Sequence, residues 1–231
     1  MKALKKLFSL IFLVILIMVT IVGFNGYTMY KEAITKTPIN DKINEIKSID
    51  NYTTLDNISE NLINAFIAVE DHRFYEHKGI DLISTTKAIF TNLEQKDLIT
   101  GGSSITQQLS KNMYFTQEKK FSRKFAEIFI VSYLEENLTK DEILELYLNT
   151  IYYGNGYYGI GNASIGYFDK YPKDLTISEA TILAGLPNAP SAYSLTEHKE
   201  LALKRQGQVL DAMVKYKYIK QSDIDNIKKE D

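Results

Sequence analysis

Cysteine is absent from this chain of 231 residues, and histidine occurs three times. The first absence excludes disulfides and thiolate metal sites. The two together argue against a structural zinc centre. Charge of one sign is also missing, because 27 Lys and Arg face 29 Asp and Glu for a net charge of −2. With a pI near 6.0 there is no overall basic footprint for nucleic acid, so none is expected as a partner. No stretch keeps up the period-two alternation of a half-buried strand, and there are no repeats and no low-complexity segment. What remains is helical patterning over one ordinary domain, preceded by a long apolar run.

That run is the clearest feature of the N-terminus. Lys2, Lys5 and Lys6 precede Leu7 to Phe24, and 24 uncharged residues separate Lys6 from Lys31. As a helix they span about 36 Å, against about 30 Å of bilayer hydrocarbon. The lysines on one flank, against Lys31 balanced by Glu32 on the other, predict a cytoplasmic N-terminus and an extracytoplasmic domain. A cleaved signal peptide would have a shorter apolar core and a small-residue cleavage site, so the segment reads as an uncleaved anchor. The expected division is 1–30 as N-terminus and transmembrane anchor, 31–56 as a polar connector, and 57–231 as the domain.

Helix signals dominate from there on. Asn61 to Val69 reads as an apolar helix, Asp81 is placed to cap one reaching about Leu93, and Ser103 follows two glycines where it can cap another. Thr139 with Glu142, and Thr176 with Glu179, fit capping boxes. Leu201 to Tyr216 carries apolar residues at helical spacing. The glycines at 154, 156, 159, 161 and 166 suit turns and close helix approaches.

Three blocks carry more polar chemistry than folding alone asks for. Glu70-Asp71-His72-Arg73-Phe74-Tyr75-Glu76-His77-Lys78-Gly79 follows an apolar run. Glu70 at a helix C-terminus, poorly solvated, gains basicity, unless it is merely paired with Arg73 or Lys78. In Gly101-Gly102-Ser103-Ser104-Ile105-Thr106-Gln107-Gln108, a helix start offers free N–H groups suited to phosphate, and Lys111 lies further along the same face. Arg123 and Glu127 stand at i, i+4, with Phe121, Phe125 and Ile128 expected to face the core and Arg123, Lys124 and Glu127 expected on the other side. Each block alone has an ordinary reading as a solvated face or surface ion pair. Together, on an anchored exported domain, they supply a base, a charge clamp and access to a bilayer.

In these blocks the chain resembles the peptidoglycan glycosyltransferases, the transglycosylase family of class A penicillin-binding proteins. The pattern Glu-Asp-x-x-Phe-x-x-His-x-Gly is met at 70–79, Gly-Gly-Ser-Thr-Ile-Thr-Gln-Gln at 101–108 with Ser104 for Thr, and Arg-Lys-x-x-Glu at 123–127. Ile143, Leu144, Glu145, Tyr147, Leu148 and Asn149 meet a fourth pattern, and the stretches 183–187 and 189–191 also agree. Asp169 and Leu195 depart from it, where Gly and Pro are usual.

The resemblance implies an all-α, lysozyme-like, two-lobed domain behind one transmembrane helix, in the bacterial cell membrane. It implies polymerisation of lipid II into β-1,4-linked glycan, with inversion and release of undecaprenyl diphosphate. Glu70 and Glu127 would be the catalytic carboxylates, with Glu70 the base. Asp71 would support Glu70. Ser103, Gln107 and Gln108 would line the donor pocket, and Lys111, Arg123 and Lys124 would clamp the diphosphate. A divalent cation, Mg²⁺ or Mn²⁺, is an optional participant with Glu127 as its ligand, and no organic cofactor is implied. Lipid II, the growing strand and the membrane are the implied partners, with other cell-wall synthesis and division proteins beside them. Ile80 to Thr100, with Leu82, Ile83, Ile89, Phe90 and Leu93, reads equally as core or as the family's membrane-dipping lobe. The rival readings are a lysozyme-like glycosidase, which also needs two carboxylates in a helical cleft, and a non-catalytic scaffold. Ser84-Thr85-Thr86-Lys87 and Ser59-Glu60-Asn61 match transpeptidase patterns in reversed order and without Lys-Thr-Gly, so they read as chance and the chain as monofunctional.

Overall fold

A computed structural model describes residues 2–95, 101–115 and 121–230, and every regular element among them is helical. The elements are α1 (Lys2–Lys36), α2 (Ile39–Lys47), α3 (Glu60–Glu70), α4 (Leu82–Gln95), α5 (Ile105–Tyr114), α6 (Phe121–Asn137), α7 (Lys140–Thr150), α8 (Ile160–Phe168), α9 (Ile177–Gly185), α10 (Lys199–Lys215) and α11 (Gln221–Glu230). The all-α expectation holds. Capping boxes start α7 at Thr139 and α9 at Thr176, as their sequences require. The cap of α5 is Ser104 and not Ser103: its hydroxyl accepts the Gln107 N–H at 3.1 Å while the Gln107 side chain accepts the Ser104 N–H at 3.1 Å.

Helices α3, α9 and α10 pack together, while α5 packs on α6 and α7. A single apolar core runs through both groups, with Leu62, Phe66, Leu109, Leu134, Tyr147 and Leu183 without exposed surface. Phe66 meets the edges of Tyr147 and Tyr153 at 6.0 and 6.1 Å between ring centroids. The C-terminal end of α3 and the body of α5 face each other where the groups meet.

Segment 31–56, expected as a connector, is built into the domain. Helix α1 runs on to Lys36, and α2 buries Ile39, Ile43 and Ile46 in the core. The extended residues that follow are tied to α7. Glu145 accepts the Tyr52 hydroxyl at 2.5 Å and the Leu55 N–H at 2.7 Å, and Asn149 accepts the Thr53 N–H and donates to its carbonyl. Two polar members of the fourth sequence pattern therefore hold the fold together.

Helix α1 is long and apolar enough to cross a membrane over Leu4–Lys36. Its second half lies along α6. Gly26 permits that contact: a Cβ there would stand 2.4 Å from Phe125 Cβ and 2.8 Å from the Ser122 carbonyl oxygen. Tyr30 stacks on Phe129 and Tyr27 meets its edge. This pairing overturns the expected faces of α6. Phe121 is 88% exposed and Ile128 41%, Phe125 is taken up by α1, and Glu127 is buried. Helix α4 contributes one buried side chain among its described residues, Ala88, and leaves Leu82, Ile83 and Phe90 exposed. Those three are therefore not core; the side chains of Ile89 and Leu93, and residues 96–100, lie outside the described residues.

The Gly26 contact predicts opposite outcomes at two helical glycines. Gly26→Leu forces α1 off α6, and overpacking of this kind costs about 1–3 kcal/mol. In the detergent-solubilised chain it should melt several degrees lower, at roughly 2–4 °C per kcal/mol for a chain of this size. A Cβ at Gly207 meets nothing within 4 Å, so Gly207→Ala in α10 should gain about 0.5–1 kcal/mol. An unchanged melting temperature for Gly26→Leu would show that the two helices part in solution.

Candidate active site

Glu70 is the last residue of α3, and its side chain is 11% exposed. The Gln108 side-chain amide donates to Glu70 Oε2 at 2.8 Å, and the Tyr147 hydroxyl donates to Gln108 Oε1 at 3.3 Å. Tyr147 thus fixes which end of the amide faces the carboxylate. Arg205 of α10 brings a guanidinium nitrogen to 4.0 Å from Glu70 Oε1. Burial, ahead of every other influence, pushes the Glu70 carboxyl above its ordinary range; Gln108 and Arg205 pull it back in part, and the Asp71 charge adds to the rise. The result is a carboxylate held in place, poorly solvated and more basic than usual.

Two cavities share Glu70 as a wall. The first, about 450 Å³, is bounded by Ser103, Gln107, Lys111, Arg123, Lys124 and Arg205 besides Glu70 and Gln108. Four cations on one surface repel each other, and burial followed by the nearby Arg123 charge lowers the Lys111 pKa. Glu127, with no exposed surface, is what holds this surface together. Lys124 Nζ lies 2.8 Å from one of its oxygens and Arg123 Nε 3.1 Å from the other, and Lys124 also donates to Ser103 Oγ at 3.3 Å. The second cavity, about 350 Å³, shares Val69, Glu70, Gly101 and Ser103 with the first and is bounded besides by His72, Asp81, Ser84, Lys87, Lys215 and Tyr216. Tyr216 stacks on His72 at 4.1 Å between centroids, with 14° between planes.

The remaining members of the first block serve the scaffold. Asp71 accepts the Ile105 N–H at 3.0 Å and contacts His77 Nε2 at 2.9 Å, joining the end of α3 to the start of α5. Asp81 accepts the Ser84 N–H at 2.9 Å as the cap of α4 and pairs with Arg73. Burial alone would raise the Asp81 carboxyl, but the hydrogen bonds from Ser84 and Arg73 outweigh it and hold it at about 2. Glu70 is therefore paired with neither Arg73 nor Lys78.

Of the residues expected at the site, Glu70, Ser103, Gln107, Gln108, Lys111, Arg123 and Lys124 meet around the first cavity. Asp71 borders the second, and its hydrogen bonds go to His77 and the Ile105 N–H rather than to Glu70. Glu127 lines neither cavity; it lies buried beneath the cations, paired with Lys124 and Arg123. It does not fit a metal ligand either, since both of its oxygens face positive charges and a divalent ion would add a third. Arg205 escaped sequence reasoning, because a lone arginine in an amphipathic helix 135 positions after Glu70 has no local signature. Tyr147 was noted within a pattern, but its hydrogen bond to Gln108 could not be foreseen.

The sequence model of a family described as Transglycosylase matches residues 39–214. Among characterised relatives, Penicillin-binding protein 1A of Vibrio cholerae is 46% identical over 171 residues, covering 74% of this chain and 21% of that protein. Penicillin-binding protein 1F of Bacillus subtilis is 45% identical over 166 residues, covering 72% of this chain and 23% of that protein. The chain thus spans about a fifth of the length of the relatives it matches. A crystal structure of Penicillin-Binding Protein 1A from Haemophilus influenzae aligns with 78% of this chain and 17% of its own, at 25% identity and a TM-score of 0.45.

The environment of Glu70 generates two expectations. A raised carboxyl binds its proton more readily folded than unfolded. The stability it contributes is therefore complete below the ordinary value of 4.5 and lost as pH rises through the folded value. Glu70→Gln should then melt higher than the wild type at about pH 8, with the gap closing below about pH 4; a lower melting temperature at both would refute the buried-carboxylate picture. Arg205→Met removes an attraction that favours the ionised form. The acid limb of the kcat/KM profile should move to higher pH, and Arg205→Lys should move it back. An unmoved limb would place Arg205 outside the electrostatics of Glu70.

Proposed function

The chain belongs to the transglycosylase family, and from that premise we propose that it polymerises lipid II into β-1,4-linked glycan at a membrane surface. The observation that carries this reading is a single basic carboxylate between two cavities, one of them walled by four cations. Glu70 takes the proton from the 4-hydroxyl of the acceptor's N-acetylglucosamine. That oxygen forms a bond to C1 of the donor's N-acetylmuramic acid as the bond from C1 to the diphosphate breaks, with inversion. The leaving group departs as an anion, so charge stabilisation replaces a strong acid. Lys111, Arg123, Lys124 and Arg205 supply that charge, with Glu127 fixing two of them. A glycosidase expelling a neutral sugar would have no use for such a wall and would need a proton donor there.

The surface of the molecule supports the same reading. With Lys2, Lys5 and Lys6 on the cytoplasmic side, α1 is a retained anchor whose second half is part of the packed structure. Exposed Phe121 begins the helix against which α1 lies, and Leu82, Ile83 and Phe90 project from α4, so apolar side chains meet the bilayer beside the cleft. Lipid II, the growing strand and the membrane are then the partners. Other cell-wall synthesis and division proteins are partners in the same reading.

Incubation with labelled lipid II and gel separation of glycan strands tests the proposal. Glu70→Gln should reduce turnover by about 10²–10⁴-fold, as loss of a general base does. Lys111→Met removes a cation with no carboxylate of its own among the described residues, so the melting temperature should not fall while turnover drops by about 10²-fold or more. It should also weaken binding of moenomycin, a phosphoglycolipid that mimics the donor. Arg123→Met, by contrast, strips a partner from buried Glu127 and should cost stability as well, up to about 3–5 kcal/mol. Normal turnover and normal moenomycin binding in Lys111→Met would mean that the leaving group is stabilised elsewhere.

A further inference from the structure

We propose that Tyr147 is a positioning residue for the base: acting through the Gln108 side chain, it keeps Glu70 able to accept a proton and so sets the lower pH limit at which the chain works. On the transglycosylase reading, on which this rests, Tyr147 meets no substrate. It has no exposed surface and lines neither cavity at Glu70.

The two partners of Glu70 differ in kind. Arg205, 4.0 Å from Oε1, presents donors alone and attracts the ionised carboxylate whichever way its guanidinium turns. Gln108, 2.8 Å from Oε2, carries a donor and an acceptor on one nearly symmetrical amide. With its nitrogen towards Glu70 it favours the ionised form, and it leads the influences that pull that carboxyl back down. Turned over, its oxygen would repel the ionised form and accept a hydrogen bond from the protonated one. Glu70 would then keep a proton where a base must be free of one. Gln107 cannot take over, because its side chain closes the capping box at Ser104.

What decides the orientation is the other end of the amide, whose one partner among the described residues is the Tyr147 hydroxyl at 3.3 Å. A hydroxyl can donate or accept, so its own surroundings matter. Gln108 Oε1 is its one acceptor among the described residues. Were the amide turned over, the hydroxyl would accept from the amide nitrogen and leave its own proton buried without a partner, which a protein interior penalises. The phenol does not escape by ionising, because burial, followed by the Glu70 charge, raises its pKa well above the ordinary value. Nor is the ring free to swing away. Phe66 meets it edge-on at 6.0 Å between centroids, and its helix, α7, packs on the α5 helix that carries Gln108.

The test measures kcat/KM for lipid II against pH, using the full-length chain in detergent. Tyr147→Phe keeps the ring and removes the hydroxyl. Its acid limb should move to higher pH by about half a unit to one unit, a deficit of about three- to tenfold on that limb. The deficit should close as pH rises, since Glu70 is then ionised in both proteins. In a Gln108→Met background the same substitution should move nothing, because no amide is left to orient. An unmoved profile, a deficit equal at every pH, or the same movement beside Gln108→Met would make Tyr147 a packing residue and overturn the proposal. A second arm needs no turnover. Glu70→Gln should raise the melting temperature at about pH 8 by more in the Tyr147→Phe protein than in the wild type, because the ionised carboxylate there has lost support. An equal rise overturns the proposal whether or not the chain makes glycan. A wild-type chain that forms no glycan sinks the transglycosylase reading instead, and the melting arm alone then decides the role of Tyr147.

Discussion

The Asp71 carboxylate is the joint on which this molecule depends. It accepts the N–H of Ile105 at the first turn of α5 and meets His77 on its other side, while its own backbone closes the last turn of α3. A helix start has unpaired N–H groups, and a buried carboxylate needs donors, so each satisfies the other. The consequence is geometric. The end of α3 and the start of α5 are pinned, which sets Glu70 opposite Gln108 and holds both against the packing of α9 and α10 on one side and α6 and α7 on the other.

Around that joint the protein places like charges together and supports them from beneath. Lys111, Arg123, Lys124 and Arg205 would not gather on one wall spontaneously, and the buried Glu127 offsets the repulsion of the two nearest to it. The arrangement is costly, since one carboxylate cannot neutralise four cations. In the proposed reaction, the donor's diphosphate would supply the missing charge. Glu70 follows the same logic in reverse: its buried, ionised form weakens the fold and is for that reason a better base.

The membrane side has its own division of labour. Helix α1 is attached to the domain by the close approach of Gly26 to α6, so the anchor and the helix bearing Arg123, Lys124 and Glu127 form one packed unit. Among the described residues, helix α4 meets the domain through buried Ala88, the Asp81 cap and the hydrogen bond from the Thr85 hydroxyl to the Gly102 carbonyl at 2.9 Å. Lys87, Ala88 and Thr91 of this helix line the second cavity, and Leu82, Ile83 and Phe90 of the same helix are exposed.

Local chemistry was legible in the sequence. Capping boxes at Thr139 and Thr176, the all-helical pattern and the apolar span follow from spacing, while the meeting of Glu70, Gln108, Lys111, Arg123 and Lys124 was implied by the family resemblance of three separate blocks. What spacing could not supply was which face of a helix finds a partner. Period alone put Phe121 and Ile128 of α6 inside and Glu127 outside; instead α1 takes up Phe125 and Phe129, and Glu127 is buried where α5 packs on α6. It likewise gave the α5 cap to Ser103, whose hydroxyl instead meets Lys124, while Ser104 turns to the Gly79 carbonyl. Arg205 had no motif to mark it, since it gains its meaning from Glu70, a side chain distant in the chain. Helix type and reactive groups are decided by near neighbours, which a sequence displays; the direction a polar side chain faces is decided by packing between distant helices, which it does not.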